Sequence, residues 1–151
     1  MKTTIFKSIL ALFLLTSCLI SCNSDEEVAS PPPPPGLTEF LYREGGAPSL
    51  SSVTDPIANA SSKEIFGRNG TAVVVKIRLT SLAVGVYTIG SGNEFTYTRP
   101  TTSSPWTAGT GTITITSNTG NRLSGSFDLN SGTSTLGINQ VNGRFSEVII
   151  N

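Results

Sequence analysis

Residues 112–129, TITITSNTGNRLSGSFDL, decide the fold. The first part alternates Thr with Ile, and the last part places Leu123, Phe127 and Leu129 on one face, opposite small polar residues. Alternation with a period of two is typical of a β-strand that buries only one face. A turn cluster, residues 118–121, separates the two parts, so the stretch predicts two antiparallel strands.

The same signals recur along the chain after residue 36. Residues 72–79 also alternate, and the residues expected to face inward are Val73, Val75, Ile77 and Leu79. The dipeptides Asn69-Gly70 and Asn142-Gly143 favour type I′ hairpin turns, because both residue types tolerate positive φ. Together these patterns predict short strands joined by tight turns.

The predicted strands cover residues 38–43, 63–67, 71–79, 84–89, 94–99, 110–117, 122–129, 134–140 and 144–150. We therefore expect an all-β fold, an antiparallel meander closed as a β-sandwich or as a small, partly open barrel. Two longer connections, residues 44–62 and 100–108, are where such a scaffold usually carries binding function. In the last strand Phe145 and Ile149 share a face with Glu147, so strict alternation would bury the Glu147 carboxylate. A β-bulge near Glu147 would resolve this conflict.

Residues 1–21 have the pattern of a lipoprotein signal peptide. Lys2 and Lys7 frame its positively charged start, and the uncharged run at residues 8–21 is shorter than the about 20 residues of a membrane-spanning helix. Leu19-Ile20-Ser21-Cys22 is a lipobox, so we expect cleavage before Cys22 and acylation of Cys22. A second, overlapping lipobox ends at Cys18; cleavage there would leave a spare thiol, and Cys22 is the favoured site.

Residues 22–36 form the predicted linker between the lipid anchor and the domain. The acidic export signal after the acylated cysteine comprises Ser24, Asp25, Glu26 and Glu27. Five consecutive prolines, residues 31–35, then add a stiff spacer of about 15 Å. Residues 37–151 are predicted to form a single antiparallel β-domain.

The composition after Cys22 argues against catalysis. Neither Cys nor His follows this residue, which removes thiol nucleophiles, His bases and the Cys/His ligand sets of zinc sites. Of the ten Lys and Arg residues, Lys2 and Lys7 belong to the signal, which leaves eight against ten Asp and Glu. With no basic stripe, nucleic acid is not an expected partner. We expect no enzyme activity, no cofactor and no metal.

Two groups of residues are candidates for a site. A glycan hydrolase would need two carboxylates about 5 to 9.5 Å apart across a cleft; we interpret the seven in the domain as solvated surface groups. They are Glu39, Glu44, Asp55, Glu64, Glu94, Asp128 and Glu147. Trp106, the single tryptophan, follows Tyr97 and Arg99, and if exposed the three would form a stacking platform for a sugar ring. The simpler interpretation is that Trp106 folds back to cap the apolar core.

Two resemblances follow from these residues. The start Cys22-Asn-Ser-Asp-Glu-Glu resembles the export signal of Bacteroidetes-type surface lipoproteins, which implies outer-membrane attachment with the domain facing outward. The ordered segments 85–89, 111–116, 123–129 and 141–145 are similar to a family of small lipoprotein β-domains of unknown function from the same bacteria. This second resemblance implies the fold and the location, and it carries over no active-site residues.

We therefore expect a non-enzymatic surface lipoprotein, anchored in the outer membrane by its N-terminal lipid. The leading hypothesis is a binding or adhesion module for a glycan or an envelope protein, and it predicts that Trp106 and Tyr97 are exposed in a shallow groove. A structural role in the envelope fits the sequence equally. The alternative is a small β-barrel that binds an apolar ligand in an internal cavity. A glycan hydrolase is the third hypothesis.

Overall fold

The computed structural model describes residues 36–102, 104–130, 132 and 137–151, and this part of the chain contains eleven β-strands and no helix. In chain order the strands are β1 Glu39–Glu44, β2 Ser51–Ser52, β3 Ile57–Asn59, β4 Glu64–Asn69, β5 Ala72–Arg78, β6 Gly85–Thr88, β7 Glu94–Thr98, β8 Pro105–Thr107, β9 Thr110–Thr119, β10 Arg122–Asn130 and β11 Gln140–Ile150. The predicted signal peptide, Cys18, Cys22, the acidic residues 24–27 and the prolines lie outside the described residues. No helix in the described ranges has the length and apolar character of a transmembrane span.

The strands form one mixed sheet that curls into a half-barrel. Its main path runs β6-β9-β10-β11-β3-β4-β5-β7-β8, and β1 lies between β11 and β2. The pairs are antiparallel except for β11 and β3, which run parallel, with Ile149 opposite Ile57 and Ile150 opposite Ala58. The prediction of an all-β fold, arranged as a sandwich or a partly open barrel, is confirmed. The sheet departs from the predicted antiparallel meander, because β11 pairs with β3 in parallel and β6 lies beside β9 instead of β5 or β7.

A β-bulge in β11 allows this strand to have two neighbours along one edge. Strand β1 pairs with residues 141–146 and β3 with the last two residues of β11. Between Phe145 and Val148, β11 has one residue more than β10, and Glu147 takes a φ of +54° there. The bulge predicted near Glu147 is confirmed. It turns both Phe145 and Val148 into the core and leaves Ile149 47% exposed.

Rings from different parts of the curled sheet meet on its concave side. Phe127 of β10 lies 5.1 Å from Phe95 of β7 and 5.8 Å from Phe40 of β1, measured between ring centroids. Phe95 also meets Trp106 edge-on at 6.0 Å. These rings are buried, and tilted or edge-on contacts of this kind stabilise by about 0.5–1.5 kcal/mol beyond the burial itself. Aromatic side chains therefore occupy the interior of the half-barrel.

A second bulge changes the inward face of β5. Gly67 pairs with Val75 and Arg68 with Val73, which makes Val74 the extra residue on β5. Val74 and Val75 are consequently both buried. Val73, predicted to face inward, is 39% exposed, so that part of the prediction is wrong.

Two of the predicted hairpin turns form, one of them shifted by a residue. The turn between β9 and β10 is Gly120-Asn121, and both residues take positive φ, as a type I′ turn requires. Between β4 and β5, Asn69 pairs with Ala72, so the turn residues are Gly70 and Thr71. Of these two, only Gly70 has a positive φ. The prediction of a type I′ turn at Asn69-Gly70 is therefore wrong.

Asn142-Gly143, the other predicted turn dipeptide, is not a turn. Both residues lie inside β11, where Gly143 sits between β1 and β10. A Cβ atom at Gly143 would lie 2.2 Å from the Leu41 carbonyl oxygen and 2.5 Å from the Phe127 ring. Close approach of neighbouring backbone and side chains, rather than a turn, explains the glycine.

Eight of the nine predicted strands correspond to observed strands. The other, predicted at residues 134–140, has its first three residues outside the described part of the chain; residues 137–139 belong to no strand, and Gln140 begins β11. The sequence did not predict β2, β3 and β8. These short strands occupy the two connections, residues 44–62 and 100–108, that were expected to be loops.

Candidate functional site

Trp106 and Tyr97 lie side by side on β8 and β7, but neither is available to a ligand. The two residues pair in register, and they are 0% and 1% exposed, respectively. Trp106 Nε1 donates a 2.7 Å hydrogen bond to the carbonyl oxygen of Ile138, which satisfies the one polar group of the indole inside the core. The predicted exposed groove is wrong because residues 105–107 form a strand that directs Trp106 inward. The alternative, in which Trp106 packs on the core, is confirmed.

Arg99 belongs to a polar cluster that joins β1 to β7. Its Nε donates to Glu44 Oε1 at 2.9 Å, and its Nη2 donates to Glu44 Oε2. The Tyr97 hydroxyl donates to the same Oε1 at 2.6 Å. Hydrogen bonding from Arg99 lowers the pKa of Glu44, and burial raises the pKa of Tyr97. A carboxylate bonded in this way links two strands and is poorly suited to proton transfer.

The other carboxylates give little support to a hydrolase. Five of the seven contact a Lys or Arg side chain: Glu39, Glu44, Glu64, Glu94 and Glu147. Asp128 accepts a 2.9 Å hydrogen bond from Gln140. Hydrogen bonding from Lys76 lowers the pKa of Glu64, whereas the acid of a glycosidase needs a raised pKa. Over the residues the structure describes, no three His, Cys, Asp or Glu side chains cluster as metal ligands would.

A surface cleft of about 430 Å³ lies where β3, β4 and the end of β11 meet, on the face of the sheet opposite the core. Its volume falls within the range of small-molecule sites, about 300–1,000 Å³. We call it the Arg68 cleft. Its lining combines apolar, hydroxyl and charged side chains: Thr38, Thr54, Asp55, Ile57, Arg68 and Ile149, with Pro56 and Gly70 completing it.

Strand alternation brings the cleft side chains to one face. The inward residues of β4 are buried, which leaves Phe66 and Arg68 on the outer face. Ile57 pairs with Phe66 across β3 and β4, and Ile149 is the parallel partner of Ile57. An apolar wall therefore adjoins the charged end of Arg68, an arrangement suited to an amphipathic ligand.

The guanidinium of Arg68 has no anionic partner in the described part of the chain. Its Nε is buried and makes no hydrogen bond. Its Cζ lies 5.0 Å from the centroid of the Phe66 ring, a cation–π contact that holds the group in place. A buried donor without an acceptor costs about 1–3 kcal/mol, and native proteins contain few of them. The Arg68 side chain as a whole is half-buried and lines the cleft, so its terminal nitrogens are the donors that a bound acceptor can reach.

A tight turn fixes Asp55 in the same cleft. The N–H groups of Thr54 and Asp55 both donate to the Arg68 carbonyl oxygen at 3.0 Å, and the Thr54 N–H also donates to Asn69 Oδ1 at 3.0 Å. Asp55 Oδ2 accepts from the Thr54 hydroxyl at 2.6 Å and from the Gly70 N–H at 3.3 Å. No donor among the described residues reaches Oδ1, so this oxygen is able to accept a hydrogen bond from a ligand.

Sequence reasoning missed Arg68 as a site residue and treated Asp55 as a solvated carboxylate. The predicted strand 63–67 ended one residue before Arg68, although the alternation of Phe66 and Arg68 already placed an aromatic ring and a cation on one face. Asp55 lies in the connection 44–62, where binding function was expected. The apolar wall depends on the parallel pairing of β11 with β3, which no local pattern indicates.

Fold and cleft together define a small all-β domain with an amphipathic cleft on its surface. The chain belongs to the DUF6252 family, a domain of unknown function, whose model matches residues 52–149. The match runs from the end of β2 almost to the end of β11 and includes Asp55, Arg68 and Ile149. Comparison with curated proteins found no match, and comparison with solved structures found none.

Proposed function

We propose that this protein is a non-enzymatic binding module, anchored to the outer membrane through acylated Cys22 and displayed at the cell surface, and that it binds a glycan in the Arg68 cleft. The lipobox at Cys22 and the acidic residues 24–27 support the anchor and its outward direction. The observation that carries the binding role is the guanidinium of Arg68 in the cleft, which has no carboxylate partner among the described residues and adjoins Ile57 and Ile149.

Binding is favoured over catalysis by the chemistry of the side chains. A reaction needs a group poised to donate or accept a proton, or an activated nucleophile. The chain after Cys22 has no Cys or His, and Glu44 and Glu64 have lowered pKa values because they are hydrogen-bonded to cations. An oriented guanidinium beside an apolar wall recognises a ligand without transforming it.

The surface cleft is also favoured over the alternative of an apolar ligand inside the half-barrel. Such a ligand would need an internal cavity. Instead, the ring of Phe127 contacts those of Phe95 and Phe40 across the interior, at centroid distances of 5.1 and 5.8 Å.

Protease shaving of intact cells tests the anchor and its direction. We expect the wild-type domain to stay with the cells and to be digested from outside. The Cys22→Ala variant should lose the lipid and the membrane attachment, whereas Cys18→Ala should behave as the wild type. A wild-type domain protected from protease would contradict surface display, and membrane attachment of Cys22→Ala would contradict the anchor.

A glycan array tests the cleft, with two matched variants of the soluble domain. Ile149→Trp fills the cleft from a position that is 47% exposed, so the fold should tolerate it. Val86→Trp also introduces a tryptophan at a strand position, on β6, that is 67% exposed and not part of the cleft. We expect glycan binding by the wild type and Val86→Trp, and its loss in Ile149→Trp. Equal binding by both variants, or binding by none of the three proteins, would overturn the proposal.

A further inference from the structure

We propose that the Arg68 cleft is specific for a sugar acid, with the ligand carboxylate bound by the Arg68 guanidinium and a ligand hydroxyl donating to Asp55 Oδ1. This inference rests on the proposed function, since it names the chemical class of the ligand for the same cleft. It follows from the geometry of the cation, from the charge next to it and from the apolar wall.

The guanidinium of Arg68 is held in an orientation suited to binding a planar carboxylate. Guanidinium groups present a rigid fork of N–H donors that matches the two oxygens of a carboxylate. The ring of Phe66 supports the group at 5.0 Å, and the buried Nε is without an acceptor. Because Nε is covered by the protein, a carboxylate in the cleft would bond the two terminal nitrogens of Arg68 and form an end-on bidentate pair. A neutral hydroxyl would offer a single, weaker acceptor.

Asp55 restricts the charge that the cleft accepts. One cation and one anion line the cleft, so a sugar unit with one negative charge and neutral hydroxyl groups fits the cleft better than a phosphate that carries nearly two charges. Asp55 Oδ2 is already bonded to Thr54 and Gly70, and Oδ1 is open to a donor. A sugar hydroxyl supplies that donor without adding charge.

The remaining walls suit the ring of a sugar. Ile57 and Ile149 cover one side with aliphatic groups, which pack against the C–H surface of a pyranose, while Thr38 and Thr54 present hydroxyl groups. The turn that holds Asp55 is fixed by backbone hydrogen bonds to the Arg68 carbonyl oxygen, so cation and anion are positioned together before the ligand arrives. This preorganisation lowers the entropic cost of binding.

Isothermal titration calorimetry on the soluble domain tests the proposal with three oligosaccharide probes whose sugar units all have the galactose configuration. These are oligogalacturonate, its methyl ester and the neutral galactose oligomer. We expect binding of the acid only, weakened by salt, because esterification removes the charge and leaves one good acceptor oxygen in place of two equivalent ones. Arg68→Gln should weaken acid binding about 10- to 100-fold, as the loss of a charge-assisted hydrogen-bonded pair does. Arg68→Lys should restore part of the affinity, since it keeps the charge without the fork.

Matched variants separate specificity from folding. Arg78→Gln removes an arginine from the outer face of β5, outside the cleft, and should bind as the wild type does. Asp55→Asn retains an acceptor for the Thr54 hydroxyl and removes the negative charge. We expect it to shift the preference of the cleft towards galactose phosphates relative to the uronic acid. An unchanged preference would contradict the role of Asp55.

The outcomes distinguish this inference from the proposed function. If the ester or the neutral oligomer binds as well as the acid and Ile149→Trp abolishes that binding, the cleft is a binding site and the sugar-acid inference is wrong. If the acid binds equally to the wild type and to folded Arg68→Gln, the inference is also wrong. If none of the oligosaccharides binds, the inference falls; a glycan of another class found on the array and blocked by Ile149→Trp would then still support the proposed function.

Discussion

Arg68 on β4 and Arg99 directly after β7 are the same residue type, yet their guanidinium groups meet different surroundings. Arg99 forms a two-pronged pair with Glu44, which lies 55 positions earlier in the chain. Arg68 contacts a ring and has no hydrogen bond at its buried Nε. Sequence placed Arg99 in a binding site and overlooked Arg68, because the Glu44 side chain that pairs with Arg99 comes from a distant strand, and no local pattern indicates that Arg68 lacks such a partner. Whether an arginine is paired with a carboxylate depends on tertiary packing, which local sequence patterns do not encode.

Gly125 gives the sharpest stability prediction for a single residue. A Cβ atom there would lie 2.2 Å from the Thr114 carbonyl oxygen and 2.6 Å from the Phe145 ring. We expect Gly125→Ala to lower the free energy of unfolding by about 3 kcal/mol or more, because a packed core cannot absorb this overlap. Urea denaturation followed by circular dichroism measures the change. Gly85→Ala is the control, since its nearest neighbours lie at 4.0 Å, and equal midpoints for the two variants would contradict the prediction.

At the scale of single elements, alternation predicted which segments are strands, and bulges changed which side chains face inward. The pattern in residues 123–129 holds throughout β10, where Leu123, Phe127 and Leu129 are buried. In β5 the extra residue Val74 reverses the expected face of Val73. Only the bulge in β11 could be predicted, because a carboxylate at Glu147 conflicted with a buried face. A bulge among uniformly apolar residues leaves no such conflict in the sequence.

The β9–β10 hairpin provides the prediction for an element. Asn121 takes a φ of +58° in the turn, a conformation that costs most L-residues about 1–2 kcal/mol and that Asn and Gly tolerate better. We expect Asn121→Ala to lower the free energy of unfolding by about 1 kcal/mol, whereas Asn121→Gly should leave it almost unchanged. Thermal unfolding of both variants measures the difference. An alanine variant as stable as the glycine variant would contradict the assigned turn.

For the whole molecule, the sequence predicted the fold class but not the path of the chain across the sheet. After β5 the chain enters β6, at the opposite end of the sheet path, and returns to place β7 beside β5. Asn93 supports this return, since its side-chain amide donates to the Thr88 carbonyl oxygen at 2.9 Å and accepts from the Thr80 N–H at 2.9 Å. Tight turns identify pairs of neighbouring strands only. The Arg68 cleft, assembled from β3, β4 and β11, could not be predicted for the same reason.

The cluster of Glu44, Tyr97 and Arg99 connects the β1 part of the half-barrel to the β7 part and should make stability depend on pH. The pKa of Glu44 is lowered in the folded protein, chiefly by hydrogen bonding to Arg99, against an ordinary value of 4.5. A lowered folded pKa means that the cluster stabilises the fold above about pH 4.5 and that this contribution is lost as the pH falls through the folded pKa. Glu64, whose pKa is lowered by Lys76, adds acid sensitivity of the same sign.

We therefore expect Glu44→Gln to lower the free energy of unfolding at pH 7 by about 1 kcal/mol, a modest value because the pair is partly exposed. Below about pH 4 the difference from the wild type should shrink, because protonation removes the same charge in the wild type, and Glu64 leaves some acid sensitivity in both proteins. Urea unfolding at a series of pH values measures both effects. Glu94→Gln is the control, since the Glu94 side chain is 63% exposed and lies 3.7 Å from Arg78, and it should change stability little at any pH. A constant difference between Glu44→Gln and the wild type from pH 7 to pH 3 would show that Glu44 acts through packing and not through its charge.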